Sequence, residues 1–211
     1  MTKRGFFIVF EGIDGSGTST HVHKLEEKIE ELDKYKDVLR THEPWKNEEI
    51  RRKLTEDRDA YSDAMEMAEL YIQDRVEHTR QIIRPALESG IIVLCSRYKM
   101  STCAYQWSQG VRLNNLLDMH ENRGLITPDL TFFLDVPRHV AEDRIKKTRN
   151  GFEKFEKDPE FTEKLIRAYN ILTQMSDVDP GVFGKVLGIN SNRETEQVAD
   201  EIFSRFQIYY K

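Results

Sequence analysis

The sequence predicts an α/β fold of three layers, with a central parallel sheet of five strands between two layers of helices. Short apolar runs, typical of buried strands, alternate along the chain with longer amphipathic stretches typical of helices. Such alternation is typical of parallel sheets, because right-handed crossover helices then cover both faces. No Pro/Gly/Ser-rich linker, repeat or low-complexity block divides the chain. We therefore expect one domain over residues 1–211.

Five segments have the composition of strands. The run 91–95 is continuously apolar, which is the pattern of a strand buried on both faces of a parallel sheet. The run 131–136 is closed by Pro137. The five predicted strands lie near 7–10, 37–41, 91–95, 131–136 and 185–189.

Helices are predicted between and after these strands. In the first helix Val22, Leu25, Ile29 and Leu32 recur at spacings of three and four, which gives one apolar stripe. A long helical pattern follows at 62–88, and Pro85 is expected to bend or interrupt its last turns. Further helical stretches begin near 101 and cover about 139–148, 161–172 and 198–206.

A glycine-rich loop joins the first strand to the first helix. Glycine allows backbone conformations closed to other residues, so successive N–H groups can point at a phosphate beside the positive end of the helix dipole. The phosphate-loop pattern G-x-x-x-x-G-K-[ST] is met at Gly12, Gly17 and Ser19, but Thr18 stands in place of the lysine. On the loop alone, a phosphate cradle and a structural turn both remain open.

Polar residues also follow the other predicted strands at the edge where open α/β sheets bind ligands. Pro44 ends the second strand, and Arg97 at the tip of the third is better explained by an anion than by packing. Tyr71, Arg75 and His78 share one helix face, which suits stacking on a base and hydrogen bonding to its carbonyl. A core tyrosine beside a surface salt bridge is the alternative.

Four basic residues surround a glycine at the end of the predicted helix 139–148: Lys146, Lys147, Arg149 and Lys154. They are compatible with a solvated turn. They are also compatible with a short basic lid over about 146–157 that brings positive charge to a phosphate when substrates bind.

Composition limits the partners and the location. A formal net charge of −5 argues against duplex DNA, and we expect no nucleic acid partner. Cys95 and Cys103 lack ligand-like companions, so they are predicted to be reduced packing residues. No apolar run approaches the ~18 residues of a membrane span, and the first strand begins too early for a secretory signal. We expect a cytoplasmic protein without membrane contact.

Over essentially its whole length the chain resembles the thymidylate kinases of the P-loop nucleoside-monophosphate kinase group. The shared motifs occur in the family's order and are F-E-G-I-D-G-S-G at 10–17, E-P at 43–44, D-R-x-x-H at 74–78, R-Y with A-Y-Q within 97–106, and P-D-L-T-x-x-L-D-V-P at 128–137. The resemblance implies a P-loop fold and transfer of the γ-phosphoryl group of ATP to dTMP, giving dTDP and ADP with Mg²⁺. It also implies a homodimer.

The resemblance implies roles for individual residues. Those expected to bind ATP are Gly12, Asp14, Gly15, Ser16, Gly17, Thr18, Ser19 and Thr20. The Ser19 hydroxyl is expected to reach the magnesium ion. Those expected to bind dTMP are Asp14, Pro44, Arg51, Tyr71, Arg75, Arg97, Thr102 and Tyr105. Tyr71 would stack on thymine, Arg75 would bond to the base and Arg97 would grip the phosphate. The residues expected to act in catalysis are Asp14, Arg97 and Arg149.

Two positions depart from the family pattern. Thr18 replaces the loop lysine, and Ser96 replaces the aspartate of the D-R-Y element. Loss of a cation that stabilises the transition state costs on the order of 10²- to 10³-fold in rate. We expect the lid to compensate, with Arg149 as the first candidate and the three lid lysines in reserve. A kinase for another nucleoside monophosphate such as dUMP, and a nucleotide-binding homologue without catalysis, are the alternatives.

Overall fold

The computed structural model describes residues 4–121, 123–148 and 153–210. Its centre is a five-stranded sheet in the order β2-β3-β1-β4-β5, and every neighbouring pair is parallel. The strands are β1 (Phe7–Glu11), β2 (Val38–His42), β3 (Ile92–Ser96), β4 (Leu130–Asp135) and β5 (Lys185–Asn190). The predicted parallel α/β fold is therefore confirmed, and each predicted strand lies within two residues of its observed bounds.

Helices connect and cover these strands. They are α1 (Thr18–Leu32), α2 (Glu48–Glu56), α3 (Ala64–His78), α4 (Arg84–Glu88), α5 (Lys99–Ser108), α6 (Leu113–Glu121), α7 (Arg138–Thr148), α8 (Pro159–Val178) and α9 (Thr195–Tyr209). A π-helical turn (Thr79–Ile83) joins α3 to α4, and a 3₁₀ turn (Phe155–Lys157) precedes α8.

Two details refine the sequence-based expectation. The helical pattern 62–88 is interrupted, as expected, but the interruption begins at Thr79, well before Pro85. Proline removes a hydrogen bond and crowds the carbonyl four residues earlier, which the wider π turn accommodates. The second detail concerns the expected lid over about 146–157: α7 ends at Thr148, as predicted, so Lys146 and Lys147 lie on this helix.

The two faces of the sheet bury different helices. Ile8 and Phe10 of β1 pack in one cluster with residues of α1 and α9. Phe7 and Val9 point to the other face and pack with the π turn, α4 and Tyr98. All five residues of β1 are buried, which explains its continuous apolar run.

The cysteines and the helices agree with two further expectations. Cys95 and Cys103 are both free and buried, as predicted for packing residues, and burial raises the pKa of both thiols. Within the described ranges, every helix is too short or too polar to span a bilayer.

The strand order fixes the position of the glycine loop. Because β1 and β3 are central neighbours with Phe10 opposite Ser96, the loop after β1 and Arg97 after β3 leave the same edge side by side. β2 lies next, with His42 opposite Ser96, so the Glu43-Pro44 loop reaches the same edge. Three of the predicted site segments therefore meet there.

Candidate active site

The glycine loop folds tightly over the carboxyl edge of the sheet. Gly15 and Gly17 have φ angles of 78° and 100°, a region that favours glycine. A Cβ at Gly15 would lie 2.4 Å from the carbonyl oxygen of Ala141, so no side chain fits there. The buried Ser16 hydroxyl has no hydrogen-bond partner within the described residues. The loop thus leads directly into the N-terminus of α1, where backbone N–H groups and the helix dipole suit an anion.

The loop opens into a cavity of about 560 Å³, called here the loop cavity. Thr18, Ser19 and Thr20 line it on the α1 side. Arginines from other elements face them, namely Arg97, Arg144 and Arg193. This cavity therefore joins helix N–H groups to guanidinium groups and suits a polyanion.

Arg144 on α7 contacts the loop directly. Its Nη1 donates to the carbonyl oxygens of Gly15 and Ser16 at 3.3 and 3.5 Å. Its Nη2 donates to the carbonyl oxygen of Ser191, after β5, at 2.8 Å. Burial and then the Arg144 charge lower the pKa of His21 to about 4, so this cavity-lining histidine is neutral. Arg144 was not predicted as a site residue, because its sequence neighbourhood is rich in charge.

Arg97 joins the loop to the rest of the site. Its Nη1 donates to the carbonyl oxygen of Gly12 at 2.8 Å, and its Nη2 donates to Asp14 Oδ1 at 2.6 Å. Burial opposes its charge, but Tyr105 and Asp14 raise the pKa of Arg97 well above its ordinary value. Its φ of 68° is strained for a side-chain-bearing residue, and such strain is concentrated at functional sites.

A second, smaller cavity of about 170 Å³ lies beside the loop cavity and is called here the aromatic cavity. The rings of Tyr71, Tyr105 and Phe155 line it. Tyr105 and Phe155 pack edge to face, with ring centroids 5.0 Å apart. The remaining lining residues include Pro44, Leu54, Arg75, Ser101, Thr102, Gln106 and Glu153.

Arg75 is held at the back of the aromatic cavity by four groups. Its Nε donates to Glu43 at 2.7 Å, and its Nη2 donates to the Tyr98 carbonyl oxygen and to Thr102 at 2.9 and 3.0 Å. Its Nη1 donates to His120 Nε2 at 2.9 Å. Since Arg75 is only 1% exposed, the alternative of a surface salt bridge is wrong.

Gln106 belongs to the A-Y-Q motif but was not among the expected site residues, yet it lines the aromatic cavity. It is fully buried, and its Oε1 has no hydrogen-bond partner among the residues that the structure describes. Its Nε2 donates to Gln109 at 3.0 Å. A buried acceptor without a partner beside a cavity is a candidate ligand contact. The A-Y-Q motif was the signal that could have identified it.

The two cavities share three residues, Asp14, Glu43 and Arg97. Asp14 Oδ1 accepts from Arg97, and Asp14 Oδ2 accepts from the Tyr105 hydroxyl at 3.2 Å. The shared wall therefore contains one guanidinium and two carboxylates. A group bound by the loop can meet a group bound in the aromatic cavity at this wall.

Two expected residues lie away from the site, and a third is outside the described residues. Arg51 is exposed on α2 and lines neither of the two cavities. Arg149 lies outside the described residues, as does part of the expected lid. Lys154 is fully buried, and its Nζ lies 2.6 Å from Asp57 Oδ2, so its charge is held away from the loop.

A glycine loop thus lies at the carboxyl edge of an all-parallel sheet beside a second cavity, the position at which open α/β sheets bind their ligands.

Comparison with known proteins gives the family. The family model described as thymidylate kinase matches residues 10–202. A probable thymidylate kinase of Pyrococcus horikoshii is 41% identical over 82% of this chain and 84% of its own length. A probable thymidylate kinase of Staphylothermus marinus is 35% identical, with 95% and 94% covered, and a thymidylate kinase of Staphylococcus epidermidis is 35% identical, with 97% and 98% covered. The chain belongs to the thymidylate kinase family.

Proposed function

We propose that the protein transfers the γ-phosphoryl group of ATP to dTMP, giving dTDP and ADP. The observation that carries this proposal is the wall shared by the two cavities, formed by Asp14, Glu43 and Arg97. A donor phosphate in the glycine loop and an acceptor phosphate from the aromatic cavity would meet there. The names of the relatives, which are thymidylate kinases, support dTMP as the acceptor.

ATP would occupy the loop cavity with its phosphates in the glycine loop. The start of α1 supports this placement, since Thr18, Ser19 and Thr20 at that helix N-terminus line the cavity together with Gly15 and Gly17 of the loop. The residues proposed to bind ATP are Gly12, Asp14, Gly15, Ser16, Gly17, Thr18, Ser19 and Thr20.

The thymine base would enter the aromatic cavity. Tyr71 would stack on it, Gln106 Oε1 would accept its imide N–H, and the remaining N–H of Arg75 Nη1 would donate to a carbonyl oxygen. The polar contacts would discriminate more strongly than packing, because an unmatched base leaves buried groups unpaired. The Pro44 and Thr102 side chains would form the neighbouring walls.

The sugar and phosphate of dTMP would extend towards the shared wall. Tyr105 would lie against the deoxyribose, and Arg97 would grip the phosphate. Arg51 is proposed as a further phosphate contact on the resemblance alone.

Phosphoryl transfer needs no nucleophilic side chain, because the acceptor is a phosphate oxygen of the substrate. The protein must align two anionic groups and neutralise charge on the transferring oxygens. Arg97 would supply that positive charge at the shared wall, and Asp14 would hold its guanidinium in place through their 2.6 Å contact. The bonds of Arg97 to Gly12 and Asp14 keep it preorganised before substrates bind.

The residues of the loop cavity fit a magnesium ion that is held mainly by substrate. Mg²⁺ prefers oxygen ligands and keeps several waters, so one hydroxyl or carboxylate with phosphate oxygens suffices. The Ser19 hydroxyl lines the cavity and would hold the ion, with Asp14 near enough to order its waters. When bound, Mg²⁺ would neutralise phosphate charge.

Two cations are proposed to compensate for Thr18. Arg149 is proposed as the lid donor, and Arg149→Ala should then lower steady-state turnover.

Arg144 is proposed to brace the loop from its carbonyl side. We predict that Arg144→Ala raises KM for ATP by about tenfold, as the loss of about 1.4 kcal/mol of binding. Arg138→Ala is the matched control on α7, because Arg138 pairs with Glu142 and Glu163. Equal KM values for the two variants would contradict the bracing role.

The assembly and location are proposed on the resemblance. The protein would be a cytoplasmic homodimer whose partners are ATP and dTMP, without nucleic acid or membrane partners. Light scattering should then give twice the chain mass of 24.9 kDa.

Direct product analysis tests the activity. The protein is incubated with ATP, Mg²⁺ and dTMP, and the nucleotides are separated by chromatography, with dUMP as a parallel acceptor. We expect dTDP and ADP in equal amounts, and a loss of about 10²- to 10³-fold for Arg97→Ala. Arg52→Ala is the control, because Arg52 is exposed on α2 and its ion pairs are with Glu49 and Glu56 of the same helix. Absence of dTDP from the wild-type reaction would contradict the proposal.

A further inference from the structure

Lys154 is the most completely buried lysine of the described residues, with 0% exposure. Its Nζ donates to Asp57 Oδ2 at 2.6 Å, to Ser62 Oγ at 2.8 Å and to the Ser62 carbonyl oxygen at 3.1 Å. Its backbone N–H donates to the carbonyl oxygen of Leu54 at 3.2 Å. A buried ammonium is costly without partners, and here three acceptors satisfy all of its donors.

The partners of Lys154 belong to one irregular segment. Asp57 directly follows α2, and its carboxylate also accepts from the Ser62 hydroxyl and, at 3.0 Å, from the Asp59 N–H. Hydrogen bonds from Lys154 and then Ser62 hold the pKa of Asp57 well below its usual range. The connection from α2 to α3 therefore folds around the Asp57 carboxylate. Lys154, which supplies the positive charge for this carboxylate, lies 97 positions further along the chain.

The contacts of Lys154 adjoin one wall of the aromatic cavity. Glu153 and Phe155, on either side of Lys154, line that cavity, and so does Leu54. The Phe155 ring packs edge to face on Tyr105 and stacks on Phe161 with centroids 5.1 Å apart. Moving the backbone at Lys154 would therefore move two residues of the cavity wall.

We propose that Lys154 is a positioning residue for the acceptor nucleotide: its ion pair with Asp57 holds Leu54 and Phe155 together as one wall of the aromatic cavity. Neither charged group lines that cavity. The lysine thus acts through its neighbours. The inference rests on the proposed function only in taking dTMP as the occupant of the cavity.

A lysine that contributes only stability makes a different prediction. It would change the unfolding transition and the active fraction, and it would leave the affinity of the remaining folded protein for dTMP unchanged. A positioning residue changes the affinity for dTMP more than the affinity for ATP, because the wall faces one cavity only.

The variant Lys154→Met keeps the length of the side chain and removes its charge. We expect the Kd and KM for dTMP to rise by about ten- to a hundredfold, and the KM for ATP to change by less than about twofold. Lys154→Arg should recover most of the dTMP affinity. The matched control is Lys157→Met, because Lys157 is exposed at the end of the 3₁₀ turn that Lys154 directly precedes.

Amide hydrogen exchange of residues 54–62 supplies a readout that needs no nucleotide. Lys154→Met should make this segment exchange faster while the strands keep their protection. Asp57→Asn removes the other charge with little change of shape, and should give the same pattern if Lys154→Met does not fold.

Two results would overturn the positioning role: unchanged exchange of residues 54–62 in both variants, or dTMP and ATP affinities that fall by the same factor. Failure of the wild-type protein to bind dTMP would count against the proposed function instead. The exchange experiment would still decide whether the ion pair holds the wall.

Discussion

At the scale of single residues, position 18 decides how much charge the glycine loop itself supplies. Thr18 is 8% exposed and lines the loop cavity, so its hydroxyl faces the proposed phosphates without carrying charge. Within the described residues, Arg97, Arg144 and Arg193 contribute the arginine charge along this cavity. All three donate to backbone carbonyl oxygens, which limits their approach to a ligand.

Restoring the lysine tests whether another cation already supplies the missing charge. Because Arg149 is proposed to do so, we predict that Thr18→Lys changes kcat for dTDP formation by less than about threefold. Steady-state kinetics at saturating ATP and dTMP measure this change. Thr55→Lys on the exposed part of α2 is the control. A rise of about 10²-fold would contradict compensation by Arg149, because an added ammonium would then stabilise charge that the native protein leaves unmatched.

The buried residue His120 makes the stability of the fold depend on pH. It is 2% exposed, its Nδ1 lies 2.6 Å from the Leu116 carbonyl oxygen, and its Nε2 accepts from Arg75. Burial and then the Arg75 charge lower the pKa of His120 to about 3. The unfolded chain takes up a proton near pH 6.5, whereas the folded chain does not until about pH 3. The contribution of His120 to the free energy of unfolding is therefore fully present above pH 6.5, and it is lost progressively as the pH falls from 6.5 towards 3.

The free energy of unfolding should therefore depend on pH. We predict that His120 makes it fall by about 1.4 kcal/mol per pH unit between pH 6.5 and 5. The variant His120→Gln should lose this contribution to the pH dependence. Urea titrations at several pH values measure the slope. The exposed His139→Gln is the control. If both variants keep the wild-type slope, His120 does not carry the effect.

At the scale of elements, Glu11 joins β1 to α5. The fully buried carboxylate accepts from the backbone N–H groups of Tyr98 and Ser101 at 2.9 and 3.2 Å, and from the Ser101 hydroxyl at 2.5 Å. α5 begins at Lys99 and carries Thr102 and Tyr105. Glu11, the last residue of β1, therefore accepts hydrogen bonds from N–H groups at the start of this helix.

We expect Glu11→Ala to lower the free energy of unfolding by about 3 kcal/mol, because it leaves three buried donors without an acceptor. Denaturant unfolding measures the loss. Glu56→Ala is the control, since Glu56 pairs with Arg52 at the surface. A change no larger than that of the control would show that water or another acceptor replaces the carboxylate.

The elements differ in how clearly their sequences indicate them. The inner strands β1, β3 and β4 were predictable because parallel strands buried on both faces are almost continuously apolar. α2 and α6 were missed, because each has nine residues and buries few of them, Ile50 in α2 and Leu116 and His120 in α6. The π turn was missed because its position depends on tertiary packing ahead of Pro85.

At the scale of the whole molecule, the site is assembled from distant segments at one sheet edge. The sequence indicated Arg97, Tyr71 and Tyr105, because strand ends and family motifs mark them. It did not indicate the Lys154 contact with Asp57 or the contact of Arg144 with the loop, since both depend on tertiary structure between separate elements. Sequence patterns within one segment identify the residues of a site. The contacts that hold those residues in place form between distant segments and become visible only in the fold.

The central claim is that two nucleotides bind in adjoining cavities with their phosphates meeting at Asp14, Glu43 and Arg97. A compound that joins adenosine to thymidine through a chain of five phosphates would fill both cavities at once. We predict that it competes with ATP and with dTMP, and that it binds at least about 10²-fold more tightly than either. Competition with only one of the two substrates, or affinity no greater than that of ATP, would contradict the claim.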